Sequence, residues 1–217
     1  MQFRLAMLFL LLAGFCAGCA GAGYVASAFP TGQTVDPAYK GLPNQTCGVM
    51  VWADEGVLDD YKSIQIDTAK GLQAKLDMAA RAKVKEVENL RWISADRILQ
   101  YQQNHADTAF EAAEDVAPHL GVSRLIYVEI DDFATHPSDS PDLYRGSVTA
   151  SVKVIEVANG RGRVAFAERC ITASYPDKCP EEGLPNLADD AVYRGTVEKL
   201  TSALGERFVP HEEDAQP

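Results

Sequence analysis

The sequence is poor in the features that mark common catalytic and nucleic-acid-binding proteins. It has 20 Lys and Arg against 31 Asp and Glu, a net charge of −11, and its basic residues are scattered. This balance argues against a nucleic acid partner. There is no Gly-x-Ser-x-Gly elbow, no CxxC pair after residue 19, no glycine-rich phosphate loop after a strand, and no zinc-type spacing of Cys and His. We therefore predict no nucleic acid partner, no cofactor, no metal and no catalytic residue of a recognisable class.

Cysteine is scarce, with five residues in the chain. Two lie within the first 19 residues, which leaves Cys47, Cys170 and Cys179. Three cysteines permit one disulfide bond and one free thiol, a usage that fits an oxidising compartment. The residues 175–178 between the last two suggest a turn, so we predict a Cys170–Cys179 bridge with Cys47 free and buried beside the first strand. A Cys47–Cys179 bridge is the alternative.

One apolar run stands at the N-terminus. After a short basic start, the residues Leu5–Phe15 are apolar, which is too short for a stable membrane-spanning helix. The small residues Ala17 and Gly18 then precede Cys19, the pattern that lipoprotein signal peptidases require. We predict a lipoprotein signal peptide over residues 1–18 and lipidation, including palmitate, at Cys19.

Two other interpretations of this segment stay open, an ordinary cleaved secretion signal and an uncleaved N-terminal anchor. Cys16 departs from the aliphatic residue usual three positions before the cleavage site, although bulky Phe15 excludes Cys16 itself as the modified residue. A covalent lipid would hold the protein on a membrane without a transmembrane helix. By resemblance to enterobacterial sorting rules, Ala20 after the cysteine favours the outer membrane, with the protein facing the periplasm.

Composition divides the rest of the chain into three parts. Residues 19–45 are rich in small residues and proline and are predicted to be a flexible tether. Residues 46–210 alternate strand and helix patterns and are predicted to be one domain. Residues 211–217 are predicted to be a frayed acidic tail.

The periodicities within the domain predict an α/β (α+β) fold, a single mixed sheet of about five strands covered by helices. Asp59 or Asp60 is the predicted cap of the first helix, and Ser94 and Thr108 cap two later ones. The predicted strands are 48–53, 89–94, 125–130 and a hairpin of 147–157 with 164–173, and the main helices are 61–83, 109–120 and 187–208.

These features, from Val49 to Trp52 through the helix that ends at Leu120-Gly121, resemble a family of bacterial envelope lipoproteins. The family includes the curli-secretion channel lipoprotein, the penicillin-binding-protein activator lipoprotein and modules like the N-terminal domain of the TolB translocation protein. The resemblance covers about residues 47–209 and implies a non-catalytic scaffold or interaction module. A curli-type pore is not expected, because the loop at 135–143 is short, polar and broken by two prolines.

Four acids follow predicted strands: Asp54, Glu55, Asp131 and Asp132. Ligands of open sheets bind beyond the carboxyl ends of parallel strands, so these acids are the candidates to hold a cation or to act as a paired acid and base. We favour the simpler interpretation that they are solvated loop starts and helix caps. The function predicted is a non-catalytic binding or scaffolding module with an envelope protein or the peptidoglycan machinery as partner. The alternative is a periplasmic hydrolase that uses these acids.

Overall fold

A five-stranded mixed sheet forms the centre of the unit from Asp36 to Pro210. A computed structural model of the chain describes residues 33–213. The strands of this sheet are β2 (Thr46–Ala53), β3 (Arg91–Trp92), β4 (Arg124–Ala134), β5 (Gly146–Ala158) and β6 (Arg161–Tyr175). Their order is β3-β2-β4-β5-β6. The predicted fold class and number of strands are confirmed.

The sheet is parallel on one side and antiparallel on the other. Strands β3, β2 and β4 run parallel, and β4, β5 and β6 form antiparallel pairs. The predicted hairpin turns at Asn159 and Gly160, whose φ angles are 52° and 72°. Two positive φ angles in a two-residue turn match the twist of the strands, which explains why Asn-Gly closes this hairpin.

Helices cover both faces of the sheet. The helices are α1 (Glu55–Asp60), α2 (Ile64–Arg81), α3 (Ala95–Asn104), α4 (Ala113–Val116) and α5 (Asp189–Glu206). The larger hydrophobic cluster joins α2 and α5 to one face through side chains such as Leu72, Leu200 and Val49. A smaller cluster joins α3 and α4 to the other face around Met50 and Tyr127. Adjacent residues of β2 therefore point to opposite faces, as the period of a strand requires.

The folded unit begins earlier than predicted, and residues 36–45 are not a tether. Tyr39 is 7% exposed and Leu42 is fully buried in the larger cluster. The Tyr39 amide also donates a hydrogen bond to the Arg207 carbonyl at 3.0 Å. The composition of this segment suggested a linker because its two anchoring side chains lie among proline and glycine. Burying them offsets the entropy of ordering the segment.

A separate two-stranded ribbon contains the start of the acidic tail. Its strands are β1 (Gln33–Val35) and β7 (His211–Glu213), which pair antiparallel. The predicted frayed tail is therefore an ordered strand over its first three residues. Residues 214–217, like the predicted signal peptide and the tether up to residue 32, lie outside the described residues.

Several local predictions are corrected by the structure. Neither Asp59 nor Asp60 caps the helix predicted over 61–83, which is α2: both lie inside the separate short helix α1, which Asp54 caps, and the N-cap position of α2 is Ser63, without a side-chain hydrogen bond. Ser94 caps α3 as predicted, with Oγ accepting from the Arg97 amide at 3.4 Å. The Thr108 hydroxyl instead donates to the His105 carbonyl, and the helix predicted over 109–120 is broken into short turns before Gly121. Gly121 ends the last turn in the left-handed region, with φ of 70°.

Candidate functional site

The strand-end acids serve local structure and lie in solvent. The Asp54 carboxylate accepts a hydrogen bond from the Gly56 amide at 2.9 Å, and the Asp54 amide donates to the Ile130 carbonyl at 3.2 Å. Asp131 lies where the β4–β5 register shifts, and both it and Asp132 are exposed, as are Asp54 and Glu55. Within residues 33–213 no cluster of three or more His, Cys, Asp or Glu side chains has the geometry of a metal site. Asp54 is a helix cap, as the simpler interpretation expected, whereas Asp131 and Asp132 are not loop starts but exposed positions inside β4, at its register shift.

A polar groove runs beside the loop between β4 and β5. It has a volume of about 470 Å³ and is walled by the loop on one side and by Glu181 and Glu182 on the other. A neighbouring groove of about 520 Å³ shares Arg145 and Ser147 with it. The lining of the second groove includes the hydroxyl side chains Thr149, Thr172, Ser174 and Ser202.

Arg145 lies at the junction of these two grooves. Its backbone amide donates to the Thr135 carbonyl at 2.9 Å, and Nη1 donates to the Glu181 carbonyl at 3.3 Å. Its Nε is buried and has no acceptor among the described residues. No carboxylate of the described segment forms an ion pair with it. A guanidinium presents five N–H donors in a fixed fork, so Arg145 retains donors for an external acceptor.

The sequence pattern gave no signal for Arg145. It follows a loop of two prolines and precedes an alternating strand, where an isolated arginine is unremarkable. The three histidines of the described domain that sequence analysis examined are dispersed in the fold. His105 stacks on Tyr101 with ring centroids 4.2 Å apart, His119 lines a shallow depression near Glu114, and only His136 lines the groove.

A second charged cluster lies at the opposite end of β4 and ties the N-terminal segment to the sheet. The Tyr39 hydroxyl donates to Glu156 at 3.0 Å and accepts from Arg124 Nε at 2.8 Å. Arg163 also donates to Glu156, at 2.6 Å. Burial acts to raise the pKa of Glu156, but the Tyr39, Arg124 and Arg163 donors outweigh it, so the pKa is lowered. Since each of these side chains has a hydrogen-bond partner within the cluster, we interpret the cluster as one that stabilises the fold.

The predicted disulfide bridge is corrected by the structure. Cys47, Cys170 and Cys179 are all free thiols, so neither Cys170–Cys179 nor the alternative Cys47–Cys179 is formed. The predicted turn does occur, with the Cys179 amide donating to the Pro176 carbonyl. However, β6 continues to Tyr175 and carries the turn away from Cys170.

The strand register gives the separation of these two cysteines. Cys179 Sγ lies 3.9 Å from the Tyr144 carbonyl oxygen, whereas Cys170 sits at the irregularity opposite Ala150 and Val152. From Tyr144 to Ala150 the chain spans about 20 Å at strand spacing. A disulfide requires Cα atoms within about 7 Å. Cys47 is free and buried, as predicted, and burial raises its pKa to about 12.

Cys19, the predicted lipidation site, is outside the described residues. Among residues 33–213, no helix has the length and apolar character needed to cross a bilayer.

Comparison with known proteins yields similarity only at the level of solved structures. No protein family profile and no curated protein matches this sequence. The resemblance to the curli-secretion and penicillin-binding-protein-activator lipoproteins therefore stays a prediction.

Three solved bacterial structures illustrate the similarity. The PelC dodecamer from Paraburkholderia phytofirmans is 10% identical over 83% of this chain and 99% of that chain, with a TM-score of 0.42. Lipoprotein GNA1162 from Neisseria meningitidis is 11% identical over 59% and 78%, with a TM-score of 0.33. A neuraminyllactose-binding hemagglutinin homolog from Helicobacter pylori is 9% identical over 81% and 84%, with a TM-score of 0.36. With TM-scores below 0.5, these similarities do not assign a function.

Proposed function

We propose that this chain is a lipid-anchored protein of the bacterial cell envelope, held on the outer membrane and facing the periplasm. Its α/β domain acts as a non-catalytic module that binds another envelope protein or a component of the peptidoglycan machinery. The observation that carries the proposal is the N-terminal pattern in which a short apolar run leads to Ala17, Gly18 and Cys19.

The arrangement of the strand-end acids supports a binding role over a hydrolytic one. A catalytic carboxylate pair needs a concave site in which neighbours or burial shift the ionisation of one member. Asp54 instead caps a helix, and Asp131 and Asp132 are exposed at a register shift. The alternative of a periplasmic hydrolase therefore has no observation in its favour.

The polar groove at Arg145 is the surface we assign to the partner. On a chain with 31 acidic residues, the Arg145 guanidinium stands out because its buried Nε has no acceptor among the described residues and Nη1 donates only to a backbone carbonyl. Unmet buried donors are rare in folded proteins and are costly unless something accepts from them. A carboxylate or a backbone carbonyl of a partner in the groove would accept from the guanidinium N–H groups of Arg145 that line it, in the geometry that arginine favours.

The anchor is tested by replacing Cys19 with Ser in cells that express the full chain. We expect Cys19→Ser to leave the membrane fraction and to lose incorporation of labelled palmitate. Cys16→Ser is the matched control and should remain membrane-bound and labelled. A Cys19→Ser protein that stays bound, or a Cys16→Ser protein that is released, would contradict lipidation at Cys19.

The binding role is tested by two variants of the full chain compared in crosslinking from native membranes. Asp54→Asn combined with Asp131→Asn should leave the crosslinked products unchanged, because these acids are not assigned to a site. Arg145→Ala should weaken a specific product, whereas Arg194→Ala, which breaks an exposed pair with Asp190, should not. Loss of the crosslinked products in the Asp54→Asn and Asp131→Asn double variant, with an unaltered fold, would instead favour the hydrolase.

A further inference from the structure

His136 joins the loop between β4 and β5 to the start of α5. Its Nδ1 lies 2.8 Å from the carbonyl oxygen of Leu143, at the far end of the same loop. Its Nε2 lies 3.2 Å from Oδ1 of Asp189, the first residue of α5. The imidazole also packs on the Tyr144 ring, with centroids 4.6 Å apart. One side chain therefore closes the loop on itself and links it to a helix.

Both ring nitrogens face atoms that only accept hydrogen bonds. A carbonyl oxygen has no proton to give, and neither has an ionised carboxylate. A neutral imidazole carries one N–H, so it can donate to Leu143 or to Asp189 but not to both. The imidazolium carries two and satisfies both acceptors. The observed geometry is thus complete only for protonated His136.

Apart from the His136 contacts, the hydrogen bonds of the loop hold its base and its interior rather than joining its tip to the rest of the domain. The base of the loop is fixed by the Arg145 amide on the Thr135 carbonyl and by the paired bonds between Tyr144 and Leu184. Within residues 137–143, the backbone hydrogen bonds that the structure describes stay inside the loop, from Ser140 to Pro137 and from Leu143 to Ser140. Gly183 packs on the loop without a hydrogen bond to its tip.

We propose that His136 is a pH-dependent latch on the polar groove. When the ring is protonated, it holds the loop against α5; when it loses its proton, one of the two contacts is lost and this wall of the groove loosens. The charged groups around it are Asp189 on α5, which contacts the ring, and Asp132, Asp139, Arg145, Glu181 and Glu182, which line the groove. The latch goes beyond the proposed function, because it does not depend on what the groove binds.

The test is hydrogen–deuterium exchange of the purified full chain at about pH 5.5 and about pH 8, which bracket the range where imidazoles titrate. After correction for intrinsic exchange rates, peptides covering residues 136–143 should be about two- to five-fold better protected at the lower pH, the range for a partly exposed ion pair. His136→Gln and Asp189→Asn should each remove this difference. His119→Gln is the matched control and should keep it.

Two outcomes would overturn the latch. One is wild-type protection of this loop that is equal at the two pH values. The other is a pH difference that persists in Asp189→Asn, which is an exposed surface change that leaves the fold intact. Long-range ¹H–¹⁵N spectra add an independent reading, with two protonated ring nitrogens on His136 expected at the lower pH. Because no partner or membrane is present, failure of the proposed function would leave these results unchanged.

Discussion

Replacing Tyr39 with Phe removes one hydroxyl group from the network that fastens the N-terminal segment to the sheet. The hydroxyl donates to Glu156 at 3.0 Å and accepts from Arg124 Nε at 2.8 Å. The ring itself stays in place, because it packs edge-on to Phe208 with centroids 6.4 Å apart. The variant therefore isolates the hydroxyl from the packing.

The expected loss in the free energy of unfolding depends on the hydrogen bonds that Arg124 and Glu156 keep when the Tyr39 hydroxyl is removed. Hydrogen bonds to charged groups contribute about 1.5–3 kcal/mol, but Arg124 keeps a bond to the Gly41 carbonyl at 3.1 Å and Glu156 keeps Arg163 at 2.6 Å. We expect Tyr39→Phe to lower the free energy of unfolding by about 1.5–2.5 kcal/mol at neutral pH. Tyr175→Phe is the control, because the Tyr175 hydroxyl has no hydrogen bond to the described residues; it should change stability by less than about 0.5 kcal/mol.

The pH dependence of this loss has a defined sign. The folded-state pKa of Glu156 is lowered: burial opposes ionisation, but the donors from Tyr39, Arg124 and Arg163 outweigh it. A lowered carboxylate pKa contributes stability that is present above the unfolded value and is lost as pH falls through the folded value. The penalty of Tyr39→Phe should therefore shrink as pH falls from the range where unfolded carboxyl groups titrate, about pH 4.3, through the lower folded-state pKa of Glu156.

Urea denaturation followed by circular dichroism gives both numbers, with the m-value as a check that the folded state is unchanged. A penalty below about 0.5 kcal/mol at neutral pH would refute the inference that residues 36–45 are part of the folded domain through this network. A penalty of the expected size that does not change with pH would refute the role of Glu156.

Two further predictions concern the core and the thiols. Leu42→Ala should lower the free energy of unfolding by about 2–5 kcal/mol, because Leu42 is fully buried. Lys40→Ala is the control: it breaks an exposed ion pair with Asp36 and should stay within about 0.5 kcal/mol of the wild type. Urea denaturation measures both differences. In thiol titration of the folded chain, exposed Cys170 should react first and Cys47 only after unfolding, because burial raises the Cys47 pKa to about 12. A nonreduced peptide map that contains a Cys170–Cys179 bridge would contradict the structure.

The parts of the fold that the sequence predicted are those with a strong hydrophobic periodicity, some of them bounded by a recognisable turn or helix-cap residue. The run before Asp54 and the Asn-Gly hairpin combine a hydrophobic pattern with a cap or turn residue, and the helix with Ile64, Leu72 and Leu76 on one face has a periodicity long enough to predict it without a cap. The helix predicted over 109–120 failed for a physical reason. Ala112 and Pro118 interrupt it, since Ala112 is extended and Pro118 starts a tighter turn.

The groove and the N-terminal boundary could not be predicted because they depend on contacts distant in sequence. Arg145 and Glu181 are brought together by the loops around the sheet, and Tyr39 meets Glu156 across 117 residues. No local pattern carries that information. The prediction of a disulfide was wrong for a similar reason. Cys170 and Cys179 are close in sequence, but β6 continues to Tyr175 and carries the turn that holds Cys179 away from Cys170.

The two edges of the sheet bear on how the domain meets a partner. Strand β3 pairs with β2 only at Thr46 and Cys47, so the rest of that edge has no strand beside it. There the helices close the edge instead. The Val51 carbonyl accepts from Gln65 Nε2 of α2 at 2.8 Å and from Gln102 Nε2 of α3 at 3.0 Å. Gln102 is 5% exposed, and a buried amide with this bond avoids the cost of an unpaired one.

The opposite edge is β6, a strand of 15 residues that is the last of its sheet. An edge of that length would template the addition of another strand if it were straight. Two register shifts interrupt it, opposite Ala150–Val152 and opposite Val154–Ile155, and Cys170 sits at the first with φ of 57°. Such bulges twist an edge away from a flat partner. Since one edge is closed by glutamines and the other is interrupted by bulges, strand addition is disfavoured on both sides, which agrees with the recognition we propose through side chains in the groove at Arg145.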